Sequence, residues 1–217
     1  MSTIVPTILC DNINDFNQAN ALYSTFAKRI QIDICDGEFI SPKTISLNDI
    51  DSLESNTTFY DLHMMVEKPS EYLDKIIALK PNLVIFHAEC SENLLPVFTK
   101  LKEAGIKVGV AILKSTYPGK IAPYIKTVDH ILVFAGALGQ QGGQADLMQI
   151  EKIPLIKNIN KEAEIGWDGG INLENIRELA HSNIDILNVG STISRATNAE
   201  EMFKELSTEA DKKGVLL

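Results

Sequence analysis

The sequence predicts a single (β/α)8 barrel, the TIM-barrel class of α/β protein, with residues 1–217 forming one domain. Three observations predict it. Eight short apolar or alternating runs, each followed by a helical or loop segment, recur along the chain with no change of composition between them. Several runs are apolar on both faces, as strands of a parallel sheet covered by helices are. Eight such units in 217 residues fit closure into a small barrel better than the competing open, doubly wound sheet.

Taken in order, Ile4–Cys10 reads as the first strand. Asp11 or Asn12 then caps a helix with Phe16, Ala19, Leu22, Tyr23 and Phe26 on one face. Ile30–Ile34 alternates strictly and is the second strand, followed by a short helix over Asn48–Ser55. Thr58–Met65 is the third strand, with Ser70 capping the helix after it. Asn82–His87 is the fourth, and its helix runs from Ser91 to Ala104 and stops at Gly105. Ile106–Leu113 is the fifth strand, with a weak helix over Tyr117–Ile125. Asp129–Phe134 is the sixth, with a helix over Asp146–Asn158 that Pro154 kinks or shortens. Ala163–Trp167 is the seventh, and Asn172 opens a helix to about Ser182. Ile184–Val189 is the eighth, and the C-terminal helix begins near Asn198.

Composition narrows the function. The formal net charge of −9 argues against binding a nucleic-acid backbone, which needs a basic face. An anionic ligand must therefore be held by local dipoles. The three cysteines, Cys10, Cys35 and Cys90, are odd in number and lack C-x-x-C spacing, which fits reduced thiols in a cytoplasmic protein. No signal peptide and no apolar run of membrane-span length is apparent. The sequon at Asn56 carries no meaning in a protein that is not secreted.

Barrel enzymes place their chemistry at the C-terminal ends of the strands. Those positions hold Thr7, Asp33, Asp36, His63, Met65, His87, Asp168 and Ser191. Asp33 and His63 lie on alternating strands with their side chains expected inside, where a charge needs a partner or a metal. Asp33, His63 and Asp168 together suit a divalent ion or catalysis; paired ions in a polar barrel mouth are the alternative. Met64 and Met65 are expected to be one core residue and one mouth residue. Lys114 closes the fifth strand and reads as a snorkelling surface lysine. Glycines recur on three successive loops: Gly136 to Gly143, Gly169 with Gly170, and Gly190 before Ser191. Bare backbone N–H groups there suit a phosphate.

Several of these segments occur in the order seen in ribulose-phosphate 3-epimerases. They are Pro6–Leu9, Gln31–Gly37, Asp61–Pro69, Phe86–Glu89, Gly142–Gln144, Asp168–Asn172 and Gly190–Ser191. The sequence resembles that family over nearly its whole length. The resemblance implies a (β/α)8 isomerase that interconverts ribulose 5-phosphate and xylulose 5-phosphate, or a close analogue such as allulose 6-phosphate. It implies that Asp33 and Asp168 are the two acid/base carboxylates and metal ligands, and that His63 is a metal ligand. Thr7 stands at a substrate-contacting position, as does Met65. Gly142, Gly143, Gly169, Gly170, Gly190 and Ser191 match its phosphate-binding loops. A divalent metal (zinc, manganese, iron or magnesium), a phosphorylated ketose and homo-oligomeric assembly are expected.

The departures from the family pattern are specific. Gln31 stands where the family has a metal-binding histidine; its amide is a poorer zinc ligand, or it hydrogen-bonds the substrate in place of an ion. Cys35 and Ala135 replace methionines that pack around the intermediate. Gly139–Gln141 replaces a loop bearing proline and phenylalanine. Rival readings are another enediolate enzyme of sugar phosphates, an aldolase or decarboxylase, and a non-catalytic sugar-phosphate-binding barrel.

Overall fold

In the computed structural model, which describes residues 2–53, 55–138 and 142–212, eight parallel strands close in sequence order into one barrel. They are β1 (Thr3–Ile8), β2 (Arg29–Cys35), β3 (Phe59–Met65), β4 (Leu83–His87), β5 (Lys107–Ile112), β6 (His130–Phe134), β7 (Glu164–Asp168) and β8 (Ile186–Val189). Each strand turns alternate residues to the bore and to the helix layer. On β2, Ile30, Ile32 and Ile34 join the large outer core, while Arg29, Gln31 and Asp33 point inward. Leu83, Ile85, Ala111 and Leu132 form a separate apolar cluster inside the bore. That plug separates two polar layers, one at each end.

The outer helices are α1 (Ile13–Tyr23), α2 (Leu73–Leu79), α3 (Leu94–Glu103), α4 (Ala122–Ile125), α5 (Lys152–Ile159), α6 (Ile176–Ala180), α7 (Ser191–Ser194) and α8 (Ala199–Ala210). Asn12 is the cap of α1, its side chain accepting from Asp15 N, and Asn198 caps α8 in the same way through Glu201 N. In α1, Phe16 and Tyr23 are buried as the spacing predicts, but Leu22 is 49% exposed. Leu22 lies on the solvent side of the stripe that its neighbour Tyr23 completes.

Several expected helices are shorter than predicted. No helix forms over Asn48–Ser55 among the described residues. A single 3-10 turn at Leu47–Asp49, capped by Ser46, ends at Ile50, whose backbone is extended. Leu47, Ile50 and Leu53 are all buried, so burial at three-residue spacing fixes this stretch without a helical ladder. Ser70 is not a cap. It sits inside a 3-10 turn, Pro69–Tyr72, and its N–H and hydroxyl both donate to the Glu92 carboxylate from the next unit. Asn93 caps α3, later than the expected start at Ser91, and Gly105 ends the unit at φ +78°. Residues 118–125 and 147–159 each begin as 3-10 turns before becoming α-helix. Pro154 falls in the first turn of α5, where its missing N–H costs nothing. The Asn172 side chain holds the turn before α6 by accepting from Glu174 N and Asn175 N.

No helix among the described residues is long and apolar enough to cross a membrane, and the three cysteines are free thiols.

Candidate active site

The period of two along β2 and β3 sets the site. Asp33 and His63 are register partners on adjacent strands. Asp168, the last residue of β7, completes the group from across the mouth. His63 Nδ1 lies 3.1 Å from Asp33 Oδ1 and 3.8 Å from Asp168 Oδ2. One ligand atom from each of the three falls within 4.8 Å of the others. Gln31 is fully buried beneath them, and its Nε2 donates to both carboxylates, at 2.9 Å to Asp33 and 2.6 Å to Asp168.

These contacts set the protonation states. Burial raises the Asp168 pKa, and the charge of Asp33 adds to it, taking it to about 7 against the pull of His63 and Gln31. At His63 burial opposes the charged form, but the hydrogen bond to Asp33 and the charges of both carboxylates outweigh it and raise the pKa. Behind it, His87 Nε2 lies 2.9 Å from His63 Nε2. Burial lowers the His87 pKa to about 4, so it is neutral at pH 7. Its Nδ1 faces Glu89 Oε2 at 3.5 Å, and Glu89 is anchored by Thr116 Oγ1 and Leu113 N. His63 thus meets Asp33 through Nδ1 and His87 through Nε2, with Glu89 beyond His87. The fixed row orients the His63 ring at the two carboxylates.

Asp33, His63 and Asp168 fit a divalent ion as a three-residue set of oxygen and imidazole donors. Gln31 as placed is not a fourth ligand. It presents its N–H2 to the carboxylates, the orientation that avoids setting an amide oxygen against two anions, and its Oε1 has no protein partner. Ligation through Oε1 requires the amide to turn over.

A cleft opens over this group. Of the residues singled out from sequence, Thr7, Asp33, Met65, Gly142, Gly143, Asp168, Gly169, Gly170, Gly190 and Ser191 line it. Met64 is in the outer core, so the two methionines divide as expected. The glycine loops meet at the far end. Gly169 and Gly170 have φ of +117° and +70°, and a Cβ on Gly170 would strike the Ala145 backbone. Thr192 Oγ1 donates to Ile171 O, at 2.5 Å, which ties α7 to this loop.

Other candidates serve elsewhere. Asp36 accepts from Glu38 N, Phe39 N and Glu67 N, joining the loops after β2 and β3 outside the cleft. Lys114 is exposed and does not line the cleft. Neither Cys35 nor Ala135 lines it. Cys35 is buried against Met65, and Ala135 packs in the outer core, so Phe134 is the cleft residue of that strand end. Gly139–Gln141 lies outside the described residues. Sequence reasoning missed Asn188, which lines the cleft from β8; counting back two from Gly190 would have found an inward polar residue.

Barrel topology and a carboxylate–imidazole cluster under a glycine-lined cleft define a (β/α)8 barrel with its candidate site at the C-terminal face. Comparison with known proteins gives the family. Residues 3–194 match the model of the ribulose-phosphate 3-epimerase family, and the chain belongs to it. Ribulose-phosphate 3-epimerase of Schizosaccharomyces pombe is 24% identical over 96% of this chain and 94% of its own. That of Aquifex aeolicus is 26% identical over 96% of each. Among solved structures, 3-hexulose-6-phosphate synthase from Salmonella typhimurium superposes with a TM-score of 0.71 at 15% identity, covering 96% of this chain and 98% of that one, which is a likeness of fold.

Proposed function

We propose that the barrel mouth epimerises a ketose phosphate at C3, with ribulose 5-phosphate and xylulose 5-phosphate, or a close analogue such as allulose 6-phosphate, as the pair. One arrangement carries this reading: two carboxylates from β2 and β7 share a single buried amide, and Asp168 is held near a neutral pKa. One carboxylate takes the C3 proton, and the other, carrying a proton, returns one to the opposite face of the enediolate. The direction of reaction decides which of the two begins. His63 and the Gln31 amide offset the extra negative charge while it exists. A divalent ion held by Asp33, His63 and Asp168 would add Lewis-acid stabilisation of that charge. Backbone N–H groups around Gly142, Gly143, Gly169, Gly170, Gly190 and Ser191 hold the phosphate, with Thr7 and Met65 against the sugar.

The test is incubation with each ketose phosphate in heavy water, followed by NMR. Epimerase action yields the C3 epimer with deuterium at C3. Carbon–carbon cleavage would instead assign an aldolase or decarboxylase, and binding without exchange a non-catalytic barrel. Homo-oligomeric assembly and residence in the reducing cytoplasm belong to the same reading, which the free thiols support; light scattering checks the first.

A further inference from the structure

Asn188 sits on β8 between Leu187 and Val189, which face the outer core. Its own side chain faces the bore. It is a register partner of Asp168 on one side and of Val5 on the other, and it lines the cleft with Asp33, Asp168 and Thr7. The residue is 2% exposed, yet neither Oδ1 nor Nδ2 has a hydrogen-bond partner in the protein. A buried amide left unpaired is destabilising, a cost that an apolar residue of the same shape avoids. The neighbouring Asp33, His63 and Asp168 all engage one another or Gln31, so among these inward groups Asn188 stands apart in having both amide atoms open.

We infer that Asn188 is a substrate-binding residue at the reacting end of the sugar. A carboxamide sets a donor beside an acceptor, and a hydroxyketone sets an acceptor oxygen beside a hydroxyl donor. Nδ2 donates to the oxygen that gains charge in the enediolate, and Oδ1 accepts from the adjacent hydroxyl. The amide lies next to Asp168 on the adjoining strand, on the side of the cleft from which that carboxylate acts. A fixed donor of this kind discriminates sugars by the oxygens at the reacting carbons, separately from the phosphate grip. The inference rests on the proposed epimerase reading for the identity of the ligand.

The experiment compares wild type with Asn188→Leu, close in shape, and with the smaller Asn188→Ala should the leucine variant fail to fold. Three quantities are read: kcat/KM on the ketose phosphate, inhibition by inorganic phosphate, and Tm. The expected result is a fall in kcat/KM of about 100-fold, unchanged phosphate inhibition, and a raised Tm for the leucine variant. A kcat/KM within a few-fold of wild type overturns the inference and leaves the epimerase reading standing, since the amide then holds only solvent. Equal losses in kcat/KM and phosphate inhibition overturn it too, because they report general collapse of the site. If wild type turns over no ketose phosphate, the epimerase reading fails. The Tm then decides: a leucine variant more stable than wild type supports an amide kept for an oxygen-bearing ligand, and one no more stable overturns it.

Discussion

At the N-terminal end of the barrel, Arg29 balances the charges of Asp61 and Glu164; at the C-terminal end, Asp33 and Asp168 meet only His63 and the neutral Gln31 amide. Arg29 donates to Asp61 at 2.5 Å and in a fork to Glu164 at 2.9 and 2.8 Å. His130 Nδ1 adds a 2.8 Å contact to Glu164, and Asn82 donates to Asp61. Burial alone would raise the Glu164 pKa, but the contacts with His130 and Arg29 hold it far below the usual carboxylate range. At the mouth, two carboxylates have a neutral amide and one imidazole between them, and burial with the Asp33 charge pushes Asp168 up; at the base burial raises Asp61 too, but there Arg29 and His130 pull against it. The same residue types form an ion-pair network where an arginine closes the charge balance and a candidate acid/base pair where none does.

The largest effect should come from the mouth. Asp33→Asn and Asp168→Asn are each expected to lower turnover by about 10²–10⁴-fold, the scale of lost acid–base catalysis, while the fold survives. Asp168→Asn also tests the pKa. A carboxyl whose folded pKa is raised stabilises the protein fully below its unfolded pKa, and that contribution is lost as pH rises to about 7. The Tm of Asp168→Asn relative to wild type should therefore increase from pH 4 to pH 8. A flat difference would remove the electrostatic account of the mouth. Glu164 at the base should behave oppositely: its depressed pKa contributes stability that is present above the ordinary carboxylate pKa and is lost progressively as pH falls below it.

The base should then separate stability from function. Arg29→Met strands Asp61 and Glu164 and should cost about 3 kcal/mol in denaturant unfolding, with kcat/KM unchanged wherever the variant remains folded. A large loss of kcat/KM at full folding would mean the two ends are coupled through the apolar plug.

Much of this division is legible in the sequence. Alternation on β2 and β3 places Asp33 and His63 inside, and the end of β7 places Asp168 at the mouth. The partnership of Arg29 with Glu164 is not legible, because 135 residues separate them and only closure brings them together. The failure at Asn48–Ser55 is of another kind: burial at Leu47, Ile50 and Leu53 is satisfied by an extended path as well as by a helix. Nor could the sequence show which end of the Gln31 amide faces the carboxylates, since that follows from two anions meeting at one point.

Smaller effects sharpen the picture of the mouth. Gly170→Val forces a side chain onto a positive-φ backbone against Ala145 and should weaken binding of the phosphorylated sugar by about 10–100-fold, the worth of one charge-assisted hydrogen bond. Equal affinity of wild type for the sugar with and without its phosphate would remove the phosphate site from these loops. Gln31→His should raise zinc affinity about tenfold or more, because imidazole suits zinc better than an amide. Titration of zinc into metal-free protein checks it; an unchanged affinity, or a wild type already holding one tight stoichiometric zinc, would show that an amide at Gln31 does not weaken the site.

The central claim is that Asp33 and Asp168 each serve one face of the substrate. Its most direct measurement is deuterium exchange at C3 of each separate epimer by Asp33→Asn and Asp168→Asn in heavy water. Two carboxylates on opposite faces predict that neither variant interconverts the epimers, and that any residual exchange is confined to one epimer in one variant and to the other epimer in the second. Epimerisation retained by either variant, or exchange of the same epimer by both, would contradict it.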